Sequence, residues 1–296
     1  RTIGLLDDGV LVNAPRPITV AWHYGWYDRL RRPLLLQTAR YLGGNYLSRN
    51  PQVEEGFNRL KNEFGITVDA LSWIPTRASS SVLSNYRSGY FAAANAATRY
   101  VALLYESILA LPQTGGRADF RSSRVQFQVL SDFGAMAKTL VEARDQYPTR
   151  VFLLDGRPVV FIFASHSWGL NPADTTEFEQ MAAVVDEARE TFRAVYGEYP
   201  YLVGEELLQM ASTLTPSPDR VSRAINFDAI YAYHGANLKS SAPPFAMTEL
   251  YGALQRFRLT RATQAVHGLK SRFTGNRLLI IPSLASGFAK HGLPIL

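Results

Sequence analysis

Short apolar runs alternate along this chain with longer stretches in which apolar residues recur at helical spacing. The runs Ile18 to Trp26, Ile66 to Trp73, Tyr100 to Tyr105, Val159 to Phe163, Tyr201 to Gly204, Ala229 to Tyr233 and Leu278 to Ile281 predict seven strands that are buried on both faces. Between them, Asn50-Pro51 opens a helix with Asn as N-cap and Pro in the first turn. Glu54 and Glu55 suit the positive end of its dipole, and Val53, Phe57, Leu60 and Phe64 form an apolar stripe that Gly65 ends. Further helices are predicted over Val82 to Arg99, over Ser131 to Tyr147 before Pro148, and over Thr248 to Lys270. Asp174-Thr-Thr-Glu177 reads as a capping box, and the helix behind it carries Phe178, Met181, Val185, Ala188 and Phe192 up to Gly197. Asp155-Gly156 is a turn between a short strand and a buried one.

Strands alternating with helices imply a parallel sheet with crossovers of one hand. No Gly-rich loop follows the first strand and no P-loop occurs, which argues against a nucleotide-binding open sheet. The expected fold class is therefore α/β, a (β/α)8-type TIM barrel, either complete or short of its C-terminal strand. Residues 1–17 are expected to form an N-terminal arm, with a hairpin around Asp8-Gly9 and Pro15 and Pro17 as punctuation. Residues 18–296 are expected to form one barrel domain.

Composition narrows the function classes. The chain has 296 residues, of which 47% are hydrophobic, which is enough for one large core. It has no cysteine, so thiolate catalysis, disulfides and Cys-based zinc sites are excluded. That absence suits a bacterial exported protein and leads to an expectation of an extracellular or cell-surface location. The net charge of +6 is scattered, with Arg29, Arg31 and Arg32 the densest basic cluster. Nucleic-acid binding is not expected, whereas acidic glycans fit the surplus. No apolar run reaches the ~20 residues of a membrane span. The 15 Tyr, 16 Phe and 4 Trp are a high aromatic share; most are read as core filling, and any beyond the core's needs suit a ligand surface, since flat sugar faces stack on such rings.

In a parallel barrel the reactive face lies where strands end and loops begin. The predicted ends read His23-Tyr24-Gly25-Trp26-Tyr27, Ser72-Trp73, Tyr105-Glu106-Ser107, Ser165-His166-Ser167-Trp168, Gly204-Glu205-Glu206, Tyr231-Ala232-Tyr233-His234 and Pro282-Ser283. Six of these seven ends are rich in Tyr, Trp, His or Glu, which predicts a polar, aromatic cleft. Glu106 suits a general acid, a base or a sugar-hydroxyl acceptor, against the alternative of a salt bridge to an arginine. Glu205 and Glu206 are neighbours on a strand, so at most one faces the cleft, where it would pair with Glu106. His23, Tyr24, Trp26, Tyr27, Trp73, His166, Trp168, Tyr231, Tyr233 and His234 are the expected substrate contacts, with core packing as the alternative for the tryptophans. The histidines have no short metal-ligand spacing, and neither a metal nor a cofactor is expected. Asp228 is read as an anchor rather than a catalyst.

At this point a resemblance becomes visible. The chain resembles glycoside hydrolase family 99, the endo-α-mannosidase and endo-mannanase family, and its relatives in bacterial polysaccharide clusters. His23-Tyr-Gly-Trp-Tyr27 resembles that family's first-strand Tyr-Tyr-Pro-Trp-Tyr. The stretches Leu42 to Val53 and Phe64 to Trp73 resemble its helix leading into a strand that ends in Ser-Trp. Tyr105-Glu106 resembles its third strand, Asp155 to Phe163 its fourth, Phe227 to Tyr233 its sixth and Ile281 to Gly287 its seventh. The pieces run in order over about Ile18 to Gly287.

The resemblance implies a sugar-cleaving barrel whose partner is an oligosaccharide or polysaccharide. It also exposes departures. Ala164 stands where the family's fourth strand runs into an Asp, and the family's eighth-strand motif, of the form Asn-Glu-Trp-His-Glu, does not occur in this sequence. Seven strands of an eight-strand barrel leave two open edges, so self-association or a partner chain is expected to cover them. Two functions remain open from the sequence: an endo-α-glycosidase, and a non-catalytic glycan-binding or structural subunit.

Overall fold

The computed structural model describes residues 11–15, 18–25, 47–74, 79–147, 149–171, 174–206, 217–231, 264 and 267–281. Among the described residues nine strands run in chain order: β1 (Val20–His23), β2 (Val68–Trp73), β3 (Tyr100–Glu106), β4 (Arg150–Val151), β5 (Leu153–Leu154), β6 (Arg157–Phe163), β7 (Tyr201–Glu205), β8 (Ala229–Tyr231) and β9 (Leu279–Ile281). The main sheet has the order β1-β2-β3-β6-β7-β8-β9, and every pair along it is parallel. The order follows the sequence without reversal, so the sheet winds in one direction, as a barrel does and a doubly wound sheet does not.

The sheet is also curled. Trp22 of β1 lies 5.3 Å, ring to ring, from Tyr231 of β8, and both rings meet Phe161 of β6 at 5.1 and 5.7 Å. Five strand steps separate β1 from β8, about 24 Å in a flat sheet, which is beyond the reach of two side chains. The three rings therefore meet across the lumen of a curled, incomplete barrel, whose edge strands β1 and β9 do not pair with each other among the described residues. Around them the inward residues Val68, Ala70, Ala102, Leu104, Val159, Val203 and Ala229 form one core cluster.

The outward residues of the same strands, among them Leu71, Val101, Leu103, Val160, Ile162, Leu202 and Ile230, pack in a second cluster against the helices. The helices are α1 (Pro51–Glu63), α2 (Ser79–Asn85), α3 (Ser107–Ala110), α4 (Ser123–Gln146), α5 (Thr175–Tyr196) and α6 (Pro218–Ala224). Among the described residues no helix is long and apolar enough to cross a membrane.

Several local expectations change for physical reasons. Only the first half of the stripe expected on α1, buried Val53 and half-buried Phe57, faces inward. Leu60 and Phe64 are exposed, while Val53, Glu54 and Asn58 are buried. The outer surface of β1 and β2 carries His23 and Asp69, and α1 meets it with charge. Lys61 Nζ lies 2.9 Å from Asp69 and 3.0 Å from His23 Nδ1, and His23 Nε2 lies 3.3 Å from Glu54. Arg99 and Tyr90 also donate to Asp69. Burial works to raise the Asp69 carboxyl, but Lys61 and Arg99 outweigh it and hold it well below the usual carboxylate range.

The single helix expected over 82–99 is broken into α2, a π-turn at Tyr86–Tyr90 and a 3-10 turn at Ala96–Thr98. A Cβ on Gly89 would sit 1.9 Å from the Ser48 carbonyl oxygen, so the backbone is pressed close there. Helix α4 begins at Ser123, upstream of the expected Ser131, because Val125 and Val129 extend its buried face. Helix α6, with Pro218 in its first turn, was not legible at all. Half of the expected capping box forms, with Asp174 Oδ1 accepting the Glu177 amide at 3.2 Å, but the Glu177 carboxylate does not return the bond. It accepts instead from the amides of Leu170, Asn171 and Phe120.

The expected hairpin at Asp8-Gly9 and nearly all of the helix over 248–270 lie outside the described residues. What is described of the arm pairs elsewhere. Val12 bridges Leu154, the Asn13 side chain bonds Val151 and Leu153, and the Leu11 amide donates to Asp155. Asp155 and Gly156 both take positive φ (50° and 75°), which makes the tight turn between β5 and β6.

Phe161→Ala removes the ring that Trp22 and Tyr231 share. The expected cost is about 3–5 kcal/mol, read as a lowered midpoint in urea unfolding. A loss below about 1 kcal/mol would show that the lumen contact does not hold the curl.

Candidate functional site

The strand ends place their side chains by alternation. On β3, Ala102 and Leu104 face the lumen, and Glu106 follows in the same phase. On β7, Tyr201 and Val203 face the lumen, and Glu205 follows. Glu106 is in register with Phe163 on β6, and Glu205 with Tyr231 on β8. The two carboxylates thus stand on the lumen side, with only β6 between their strands, about 10 Å apart at Cα by strand spacing. Glu206 takes the opposite phase and pairs with Arg223 of α6 at 3.0 Å, so of the two adjacent glutamates only Glu205 belongs to the lumen.

The carboxylates are held differently. Ser72 Oγ, at the end of β2, donates to Glu106 Oε1 at 2.7 Å. Burial pushes the Glu106 carboxyl up to about 7, against the pull of the Ser72 hydrogen bond and with help from the charge of Glu205. Glu205 Oε2 accepts the Ala164 amide at 2.6 Å, and its carbonyl oxygen accepts from Ser165 Oγ at 2.7 Å. Ala164 makes the first bond possible by adopting a left-handed backbone, φ 59° and ψ 27°, which is costly for a residue with a Cβ. The turn it opens, Ser165–Ser167, sets His166 at the rim with Nδ1 3.9 Å from Glu205 Oε1. Arg117 ties this segment down by donating to the carbonyls of His166, Trp168 and Gly169.

The aromatic expectations divide. Tyr231 faces the lumen in the Trp22–Phe161 group, and half-buried Tyr24 follows directly after β1. Trp73 and Trp168 do not offer faces to the cleft. Both point to the helix layer at 1% exposure, where Trp73 donates to Thr139, and Trp168 donates to Ser107 and packs on Phe120 and Phe227. His23 likewise points outward, into the charged seam with α1. The expected convergence of His23 and Trp73 with the two glutamates is corrected accordingly: their strand phase sends them through the other face of the sheet. Trp26, Tyr27, Tyr233 and His234 lie outside the described residues.

Two contributors were not singled out from the sequence: Ser72 as a hydrogen-bond donor, and Trp22. The alternation Val68, Ala70, Ser72 carried a signal for the first, and the phase of Val20 and Trp22 for the second. Ala164 was singled out as a departure from the family it resembles, but not for its left-handed backbone. Asp228 is an anchor, as its sequence position implied. It pairs with Arg157 and Arg189 at 3.0 Å each and accepts the Leu202 amide. Among the described residues no group of three or more His, Cys, Asp or Glu side chains is placed to hold a metal ion.

No family model matches the sequence, and no curated protein matches it. Solved structures do. The similarity is to GH99 endo-alpha-mannosidases. One from Bacteroides thetaiotaomicron, in complex with BIS-TRIS-propane, is 17% identical, with a TM-score of 0.42; the match covers 82% of this chain and 66% of that one. A second structure of the GH99 endo-alpha-mannosidase from the same organism is 15% identical, with a TM-score of 0.40, and covers 88% and 76%. The chain thus spans 66% of the length of the first GH99 structure.

The raised Glu106 carboxyl has a consequence for stability. Its folded pKa, about 7, lies above the unfolded value near 4.5, so the folded state binds the proton more tightly. Stability from this group is complete below about pH 4.5 and is lost as pH rises through about 7. In urea unfolding from pH 4.5 to 8, the isosteric Glu106→Gln is expected to gain on the wild type steadily up to about pH 7 and then hold level. Parallel curves would contradict the burial account.

Proposed function

We propose that this chain is a glycoside-hydrolase-like barrel that acts on a polysaccharide, with Glu106 and Glu205 as its working carboxylates and an endo-α-glycosidic cleavage as its reaction. The observation that carries this reading is the pair itself: two glutamates on the lumen face at the C-terminal ends of parallel strands, in unlike environments. A carboxyl that keeps its proton near neutrality suits protonation of a leaving-group oxygen. A carboxylate held by a backbone amide suits a base or an orienting acceptor. Tyr24, His166 and Tyr231 are the described residues best placed to meet sugar hydroxyls and ring faces. The chemistry of sugar cleavage by paired acids needs no cofactor. The scattered positive charge favours an anionic glycan, met outside the cell.

A second reading, of a barrel that binds glycan without cleaving it, draws on one observation. The two side chains are 3% and 1% exposed, so the pair is nearly closed off from solvent. Ala164 also uses one Glu205 oxygen at short range.

Release of reducing ends from an α-mannan and from an anionic exopolysaccharide tests the first reading. Glu106→Gln and Glu205→Gln are each expected to lower kcat by about 10²–10⁴-fold, and wild-type kcat/KM is expected to fall as pH rises through about 7. Full activity in either variant removes that residue from the chemistry. Tight binding by calorimetry with no release of ends establishes the second reading in place of the first.

A further inference from the structure

We propose that His166 is the proton-exchange partner of Glu205, carrying protons between that buried carboxyl group and solvent. The inference rests on Glu205 being one of the working carboxylates. The Glu205 side chain is 1% exposed, too little to trade protons with bulk water, whereas the His166 side chain beside it is 33% exposed. The ring therefore spans the boundary, with Nδ1 directed to Glu205 Oε1 at 3.9 Å. That gap closes with a small ring rotation or one bridging water, as catalytic contacts do when a site fills.

The turn that carries the ring is fastened to the residue it serves. Ala164 N donates to Glu205 Oε2, and Ser165 Oγ donates to the Glu205 carbonyl. Ser167 Oγ returns to the Ala164 carbonyl at 2.7 Å, and Arg117 Nη2 holds the His166 carbonyl at 3.3 Å. Strain at Ala164 is maintained by these bonds, and it aims the ring. The charged groups on the described neighbouring elements are these. Glu106 stands on β3, one strand removed from Glu205 on the lumen side. On α6, Arg223 is paired with Glu206 and Asp219, and Arg220 lies on the same helix. Helix α3, Ser107–Ala110, brings no charged residue. In the transfer, the Oε1–H bond breaks as the Nδ1–H bond forms, giving carboxylate and imidazolium. Nε2 then releases its proton to water, which leaves a neutral ring.

The test is a ring-nitrogen NMR titration of the full chain. In Glu205→Gln the His166 pKa is expected to drop by about one pH unit, because a neighbouring negative charge has gone. In the wild type the His166 curve is expected to carry a second inflection from Glu205. A His166 curve that is single in the wild type and unmoved in Glu205→Gln overturns the proposal. In hydrolysis assays, His166→Gln is expected to lower kcat about tenfold, with a displaced pH profile and partial rescue of kcat by added imidazole. A profile superimposable on wild type also overturns it. The two ideas fail separately. Coupled titration in a chain that cleaves no glycan sinks the hydrolase reading alone. Loss of activity in Glu106→Gln and Glu205→Gln with an uncoupled His166 sinks this one alone.

Discussion

The contact among Trp22, Phe161 and Tyr231 is the constraint on which the rest depends. A parallel sheet with apolar side chains on both faces has to cover both, and the helices cover only one. Here the second face is covered by the sheet itself, which rolls until rings from its first and sixth strands touch. Once it has rolled, the C-terminal ends of β3 and β7, one strand apart, carry their inward side chains toward the lumen. The spacing of the two carboxylates is set by β6 between them, and the rolled sheet supplies the burial.

Burial then sets the chemistry. Glu106 and Glu205 are the same residue type on strands separated by one other, yet one receives a serine hydroxyl and the other a main-chain amide. The amide is available only because Ala164 accepts an unfavourable backbone. A strained residue of this kind at a strand end marks a place where the surroundings over-determine the geometry. It lies beside the proposed working group rather than in the distant core, which fits strain retained for a purpose.

Much of this could be read from the sequence, and for definable reasons. Doubly buried parallel strands announce themselves as unbroken apolar runs, so all seven strands of the main sheet were found near their observed places, as were the turn at Asp155-Gly156 and the Asn50 cap. Parity identified the Glu205–Glu206 alternative, though not which member faced in. The seam between α1 and the first two strands was not legible. A helix is expected to present its apolar side to a sheet, but here the sheet offers His23 and Asp69, and Glu54 and Lys61 answer them. The same error of face misplaced His23 and Trp73. Their residue types suit a cleft, but only the phase of each strand tells which side a ring leaves from, and a strand apolar on both faces hides its phase.

The arm formed by residues 11–15 sits at the opposite end from the carboxylates. Ala14 joins Phe152 and Leu154 in the inner core cluster, while Val12 and Asn13 lace onto the β5 turn. Among the described residues this packs the far end of the lumen with apolar side chains and leaves the polar ones to the strand-end side. A molecule that reached the carboxylates would therefore come to them from the strand ends, and would find a greasy floor beneath the polar rim.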